Sequence, residues 1–170
     1  MNYEQATSNK KQETAYLLLG SNLGDRVALL AAARRQLTAT AGALVAVSGL
    51  YETAAWGREN QPAYLNQALA VETRLAPLAL LAQCQAVEQA AGRQRLEHWG
   101  SRTLDVDVLL FGSEIIATPA LTVPHPRLAE RRFALVPLAE IAAAVLVPGS
   151  GRTVAELLAL CEDLLPVKRW

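Results

Sequence analysis

Strand, helix, strand, strand, helix, strand is the order of elements that the sequence predicts. It makes the chain an α+β protein, a ferredoxin-like βαββαβ sandwich with an antiparallel sheet, two helices on one face and extra helices late in the chain. Three observations predict it. Apolar patterns of period two and period 3.6 alternate along the chain in that order. Turn-forming residues stand at nearly every changeover. The 170 residues, 52% hydrophobic and 19% charged, are enough to bury a core as one domain.

The elements follow in turn. Residues 1–13 end in Asn9-Lys10-Lys11-Gln12-Glu13, are polar, and predict a disordered tail, leaving residues 14–170 as a single domain. Residues 15–19 are a short apolar strand that stops at the turn-rich Gly20-Ser21-Asn22-Leu23-Gly24-Asp25. A helix over 26–40 carries Val27, Leu30, Ala31 and Leu37 at helical spacing, with Asp25 as its N-cap and Gly42 just past its end. Residues 43–53 alternate as one strand and 63–73 as another behind the loop 54–62, and the two pair antiparallel. Pro77 opens a second helix running to residue 91, and Gly92 stops it. An Arg-rich connection leads to the strand in 102–112, then a turn at Phe111-Gly112-Ser113 and a further short strand. Residues 127–141 and 153–165 read as helical additions on either side of Pro148-Gly149-Ser150-Gly151.

Composition excludes several functions. Sixteen basic and sixteen acidic residues cancel, which removes the bulk electrostatic case for binding nucleic acid or an anionic membrane. An RNA-recognition module shares this order of elements, but it would carry a K/R-G-F-x-F pattern on a central strand, and none is present. A regulatory small-ligand domain of the same fold would have no use for the paired aspartates described next. Cys84 and Cys161 form no C-x-x-C and have no metal spacing, so both read as plain thiols of a reducing compartment. No run approaches eighteen apolar residues, and the start of the chain lacks an apolar signal core. The expectation is a cytoplasmic monomer whose partners are small molecules.

The chemistry is carried by Arg102-Thr103-Leu104-Asp105-Val106-Asp107-Val108. In a strand, alternate side chains share a face, so Asp105 and Asp107 point together while Leu104, Val106 and Val108 face the core. Two adjacent carboxylates repel unless a cation lies between them, and Mg²⁺ is characteristically held by one or two carboxylates and completed by substrate phosphates. Arg93, Arg95 and Arg102 cluster before this strand, and Arg127, Arg131 and Arg132 follow His125; arginine forks suit phosphate oxygens. The loop at Gly20 lacks the G-K-[ST] ending of a Walker A motif and is not G-x-G-x-x-G, so it reads as a capping turn.

These segments resemble the 6-hydroxymethyl-7,8-dihydropterin pyrophosphokinase family over nearly the full chain. The resemblance runs from Tyr16-Leu17-Leu18-Leu19-Gly20-Ser21-Asn22 through Leu50-Tyr51-Glu52-Thr53 and Gln61-Pro62-Ala63-Tyr64-Leu65-Asn66. It is most specific in Trp99-Gly100-Ser101-Arg102-Thr103-Leu104-Asp105-Val106-Asp107 followed by Val123-Pro124-His125-Pro126-Arg127. It implies transfer of diphosphate from ATP, the co-substrate, to a pterin alcohol by in-line attack on the β-phosphorus, with two Mg²⁺ ions at Asp105 and Asp107. It also implies Arg93 and Arg102 as catalytic groups, Gln85, Glu88, Arg95, Trp99, His125 and Arg131 on the ATP side, and Arg93, Arg95, Trp99 and Arg102 as a closing lid. Tyr64 and Phe133 match the pterin-stacking pair, Thr53 and Asn66 the groups at its edge, and Trp56 a cover over the pocket. One departure stands out: Ala54-Ala55-Trp56-Gly57 occupies a loop where many relatives carry prolines.

Overall fold

The computed structural model describes residues 11–55, 61–92 and 103–170. Strand β1 (Glu13–Ser21) is central and pairs antiparallel with β4 (Tyr64–Thr73) on one side and β5 (Asp105–Phe111) on the other. Helix α1 (Arg26–Thr40) connects β1 to β2 (Ala43–Val47) and β3 (Tyr51–Thr53), and α2 (Pro77–Ala90) connects β4 to β5. Sheet order is β10-β3-β4-β1-β5 with β2 also on β4, which is the predicted ferredoxin-like arrangement extended by one strand, β10 (Val167–Arg169). Beyond β5 come two small hairpins, β6 (Ile116–Ala117) with β7 (Thr122–Val123) and β8 (Leu146–Val147) with β9 (Arg152–Thr153), and helices α3 (Arg132–Ala142) and α4 (Val154–Leu160). Among the described residues no helix is long and apolar enough to cross a membrane.

Alternation along the strands sorts their side chains into two cores. Leu17, Leu19, Leu65, Leu69, Val71, Val106 and Val108 pack against Leu30, Leu37, Leu80 and Cys84 of α1 and α2. Leu18 and Leu110 face the other way, onto Leu135 and Leu138 of α3 and Val154 and Leu157 of α4. The extra helices therefore cover part of the second sheet face, and the uncovered remainder of that face is where the site lies.

Local chemistry explains where elements start and stop. Asp25 caps α1, its carboxylate accepting from Ala28 N–H at 3.0 Å. Gly42 permits the turn out of α1 because any Cβ there would collide with the Glu72 carbonyl. The strand expected over 43–53 is instead two strands. Ser48 breaks it: its hydroxyl, rather than a carbonyl, accepts from Ala68 N–H (2.9 Å), while its own carbonyl is taken by the Gln67 amide (2.9 Å). The helix expected over 127–141 divides into a 3-10 turn (Leu128–Glu130) and α3, because Arg131 between them is extended at φ −117°, ψ 92°. The one expected over 153–165 ends at Leu160, where Cys161 turns extended. Glu13, which the sequence places at the end of a polar tail, already belongs to β1 opposite Thr73.

Candidate functional site

Register places the predicted residues. Residues directly opposite on antiparallel strands share a face, and one row crosses the sheet as Tyr51, Asn66, Gly20, Asp105. The next rows hold Thr53 opposite Tyr64 on one side, and Leu18 opposite Asp107 on the other. Thr53, Tyr64, Asn66, Asp105 and Asp107 thus lie on the single face that α3 covers only in part. With strands about 4.8 Å apart, Asn66 and Asp105 stand roughly 10 Å from one another across β1.

Between them lies Gly20, which has no side chain to fill the gap. A Cβ there would sit 3.2 Å from the Asn66 amide oxygen and 3.8 Å from the Tyr64 ring. The Asn66 amide is itself fixed, donating from Nδ2 to the Thr53 hydroxyl at 3.0 Å, with both residues buried. Gly20 is therefore a bare floor joining two half-sites, one polar and aromatic, the other acidic. Asn22 holds the rim of the first, donating from Nδ2 to the Pro62 carbonyl at 3.2 Å.

The acidic half-site is built on a tethered edge. Val106 N–H, the peptide between the two aspartates, points away from β1 and donates to Glu88 Oε1 of α2 at 2.8 Å. Glu88 is 5% exposed, so this bond is shielded from water and fixes the outer edge of β5. Glu88 reaches the strand from the α2 side, whereas the aspartates project on the α3 side; its placement makes it a support for β5. Gln85 is half-buried one turn earlier on α2. Burial, followed by the charges of Glu88 and Asp107, pushes the neighbouring Cys84 thiol up to about 12, so it is an inert core group.

His125 enters from the loop after β7. The β1–β5 register slips between Tyr16 and Leu17, leaving Leu109 as a bulge residue whose carbonyl accepts from His125 N–H at 2.9 Å. Burial first, and then the nearby Arg131, lower the His125 pKa to about 4, against the opposing pull of Asp105. The imidazole is neutral at neutral pH. Its Nδ1 accepts from Arg127 N–H at 3.2 Å, so the proton resides on Nε2, which is left as a donor. Burial also lowers Arg131, while Asp107 and Asp105 draw it toward the charged form. The Arg131 guanidinium stands 5.7 Å from the centre of the Phe133 ring, and Phe133 itself packs on the edge of the second core at the start of α3.

The structure thus brings together Asp105, Asp107, His125, Arg131 and Phe133 with Thr53, Tyr64 and Asn66. Arg93, Arg95, Trp99, Arg102 and Trp56 lie outside the described residues. Among the described residues no group of three or more His, Cys, Asp or Glu is placed to hold a metal. The donor set is two carboxylates, which suits an ion that takes its remaining oxygens from phosphate and water. In the sequence Gly20 reads only as part of a capping turn, and the tie from Glu88 to β5 has no local signature. Nothing local signals either, since both depend on partners brought in by the register.

The family model for 7,8-dihydro-6-hydroxymethylpterin-pyrophosphokinase (HPPK) matches residues 16–143 of this chain. The 2-amino-4-hydroxy-6-hydroxymethyldihydropteridine pyrophosphokinase of Haemophilus influenzae is 42% identical over 156 residues, covering 91% of this chain and 97% of its own length. Its namesake from Bacillus subtilis is 48% identical over 128 residues, covering 75% of this chain and 77% of its own. In crystal form, Plasmodium falciparum HPPK-DHPS with pterin and p-hydroxybenzoate aligns with a TM-score of 0.71 at 15% identity, over 90% of this chain and 44% of that one. This chain spans less than half of that longer protein, and the likeness speaks to the fold.

Proposed function

The chain belongs to the 7,8-dihydro-6-hydroxymethylpterin-pyrophosphokinase family, and from that membership we propose that it transfers diphosphate from ATP to 6-hydroxymethyl-7,8-dihydropterin in folate biosynthesis, releasing AMP. The observation that carries this reading is the single sheet face on which a polar, aromatic pocket and an acidic pair flank the bare Gly20. A flat bicycle and a polyphosphate can lie side by side there, with the pterin alcohol directed at the phosphate chain.

The roles are those the family resemblance implies, and for the described residues their shared sheet face supports them. Tyr64 and Phe133 offer aromatic faces to the pterin ring, and Thr53 and Asn66 offer hydrogen bonds to its edge. Asp105 and Asp107 would hold two Mg²⁺ ions, which when bound offset negative charge on the triphosphate. Arg131 supplies a fixed cation beside them, and the His125 Nε2–H donates a neutral hydrogen bond to a phosphate oxygen. Arg93, Arg95, Trp99 and Arg102 close over the nucleotide and exclude water, with Arg93 and Arg102 steadying the transferred group; Gln85 lines the nucleotide side and Trp56 covers the pterin. No protein nucleophile is needed, because holding the alcohol oxygen in line with the β-phosphorus and matching charge suffice for this transfer. In this reading residues 14–170 act as one monomeric domain in the cytoplasm, on two small molecules.

The test is product analysis. ATP, Mg²⁺ and the pterin alcohol should yield AMP and pterin diphosphate in equal amounts, with no AMP when the pterin is omitted. ADP as the product, or nucleotide turnover independent of the pterin, would overturn the proposal.

A further inference from the structure

Residue Arg26, at the first position of α1, lies outside the row of residues that face the substrates, yet it holds three separate pieces of the pterin half-site. Its Nη1 donates to the Ala63 carbonyl at 2.8 Å, immediately before Tyr64. Nη2 pairs with Glu52 Oε2 at 2.8 Å, immediately before Thr53. The guanidinium also lies 4.8 Å from the centre of the Trp170 ring. Its side chain is only 21% exposed, so its bonds to Ala63 and Glu52 carry more weight than a fully exposed surface ion pair.

Trp170 is in turn fastened to the same strand. Its N–H donates to the Leu50 carbonyl at 2.8 Å, and β10 just before it pairs along β3, placing Val167 opposite Thr53 and Arg169 opposite Tyr51. Strand β3 has only three residues and, with β10 absent, would be a free edge beyond β4, too short to hold its own register. Thr53 is thus held between Val167 and Tyr64, and Arg26 locks the opposite side of the same two strands.

We propose that Arg26 and Trp170 are positioning residues for the pterin half-site, clamping β3 to the entry of β4 so that Thr53, Tyr64 and Asn66 keep their spacing. This rests on the proposed function, and the two are separable by measurement. Binding of 6-hydroxymethyl-7,8-dihydropterin and of a nonhydrolysable ATP analogue with Mg²⁺ is measured separately by calorimetry, alongside AMP formation by the unaltered protein. Arg26→Ala should weaken pterin binding by about tenfold, from loss of two charged hydrogen bonds, while leaving the ATP analogue within about twofold. Trp170→Ala should weaken it by about threefold, and Trp170→Phe, which keeps a ring for the guanidinium, should restore it.

Trp170 is 61% exposed, so Trp170→Ala decides the matter should Arg26→Ala not fold. Unchanged pterin affinity in a folded variant, or equal loss for both ligands as a general loosening would give, overturns the inference while AMP formation by the unaltered protein stands. Absence of pterin-dependent AMP from the unaltered protein overturns the functional reading, and this inference with it.

Discussion

Asp107 and Gly20 are the residues on which the chemistry and the shape of the site depend. Asp107 is half-buried on the α3 side of β5, while its neighbours Val106 and Val108 supply the packing. Replacing it with Ala removes charge without opening the core, so the fold should survive and AMP formation should fall at least about a hundredfold, as for loss of a group that stabilises developing charge. Steady-state turnover with a parallel thermal melt checks this; retention of more than about a tenth of the rate would remove Asp107 from the mechanism. Gly20 acts by absence. Gly20→Ala would press a methyl group against Asn66, whose amide is already committed to Thr53. Overpacking of this kind costs about 1–3 kcal/mol of folding stability, so the melting temperature should fall by roughly 2–10 °C, and because Asn66 must give way to the methyl group pterin affinity should drop roughly tenfold. Equal pterin binding by this variant would show that the floor has slack. The aspartate pair was legible in the sequence because strand alternation is a local rule. The floor was not, since Asn66 and Gly20 are 46 positions apart and meet only through the β1–β4 register.

The contrast recurs among the elements, where regular periodicity was readable and long-range caps were not. Helix α1 was legible from its spacing and its Asp25 cap, and α2 from Pro77 at its start. The late helices are shorter than their periodicity predicts because their ends are set by remote partners. Helix α3 has no cap from its own N-terminal residue; Asp163, 31 positions later, accepts from Arg132 N–H at 3.1 Å and from Leu165 N–H at 3.0 Å. That use of Asp163 also explains why the chain after α4 must leave the helix. Asp163→Ala should therefore cost about 1 kcal/mol of unfolding free energy, the ordinary worth of an N-cap, and Asp163→Asn less, since it retains an acceptor. Urea titration of both variants checks this; an unaltered midpoint for the alanine form would show that α3 starts unaided. Strand β10 has no signature in the sequence for the same reason. Three residues containing Lys168 and Arg169 carry no strand pattern of their own, and they become a strand by completing the edge of β3.

At the scale of the whole molecule, the order of elements sufficed to predict the ferredoxin-like sheet, but only the assembled structure shows how the second face is used. There α3 covers one end and leaves the other for the two half-sites, and the groups at that boundary couple the site to global stability. His125 is the clearest of them. Its pKa is lowered to about 4 in the folded protein by burial and then by Arg131, from an ordinary value of 6.5. The unfolded chain therefore binds more protons than the native state between those values, so stability rises with pH across that window and is lost as pH falls from 6.5 toward about 4. Glu140 adds a second acid-sensitive step. Its carboxylate accepts from Tyr51 Oη at 2.7 Å and Gly49 N–H at 3.0 Å, which lowers its pKa, so its contribution is present above its ordinary range and fades below it. The two steps are separable. In urea unfolding without added metal, the midpoint should fall as pH drops from about 7 to 5, before carboxylates contribute appreciably. His125→Gln, which keeps a neutral polar side chain, should flatten that part of the curve while leaving the steeper fall at lower pH. Parallel curves for the two proteins would mean that His125 takes up its proton without strain, and its neutral role beside the phosphates would go with it.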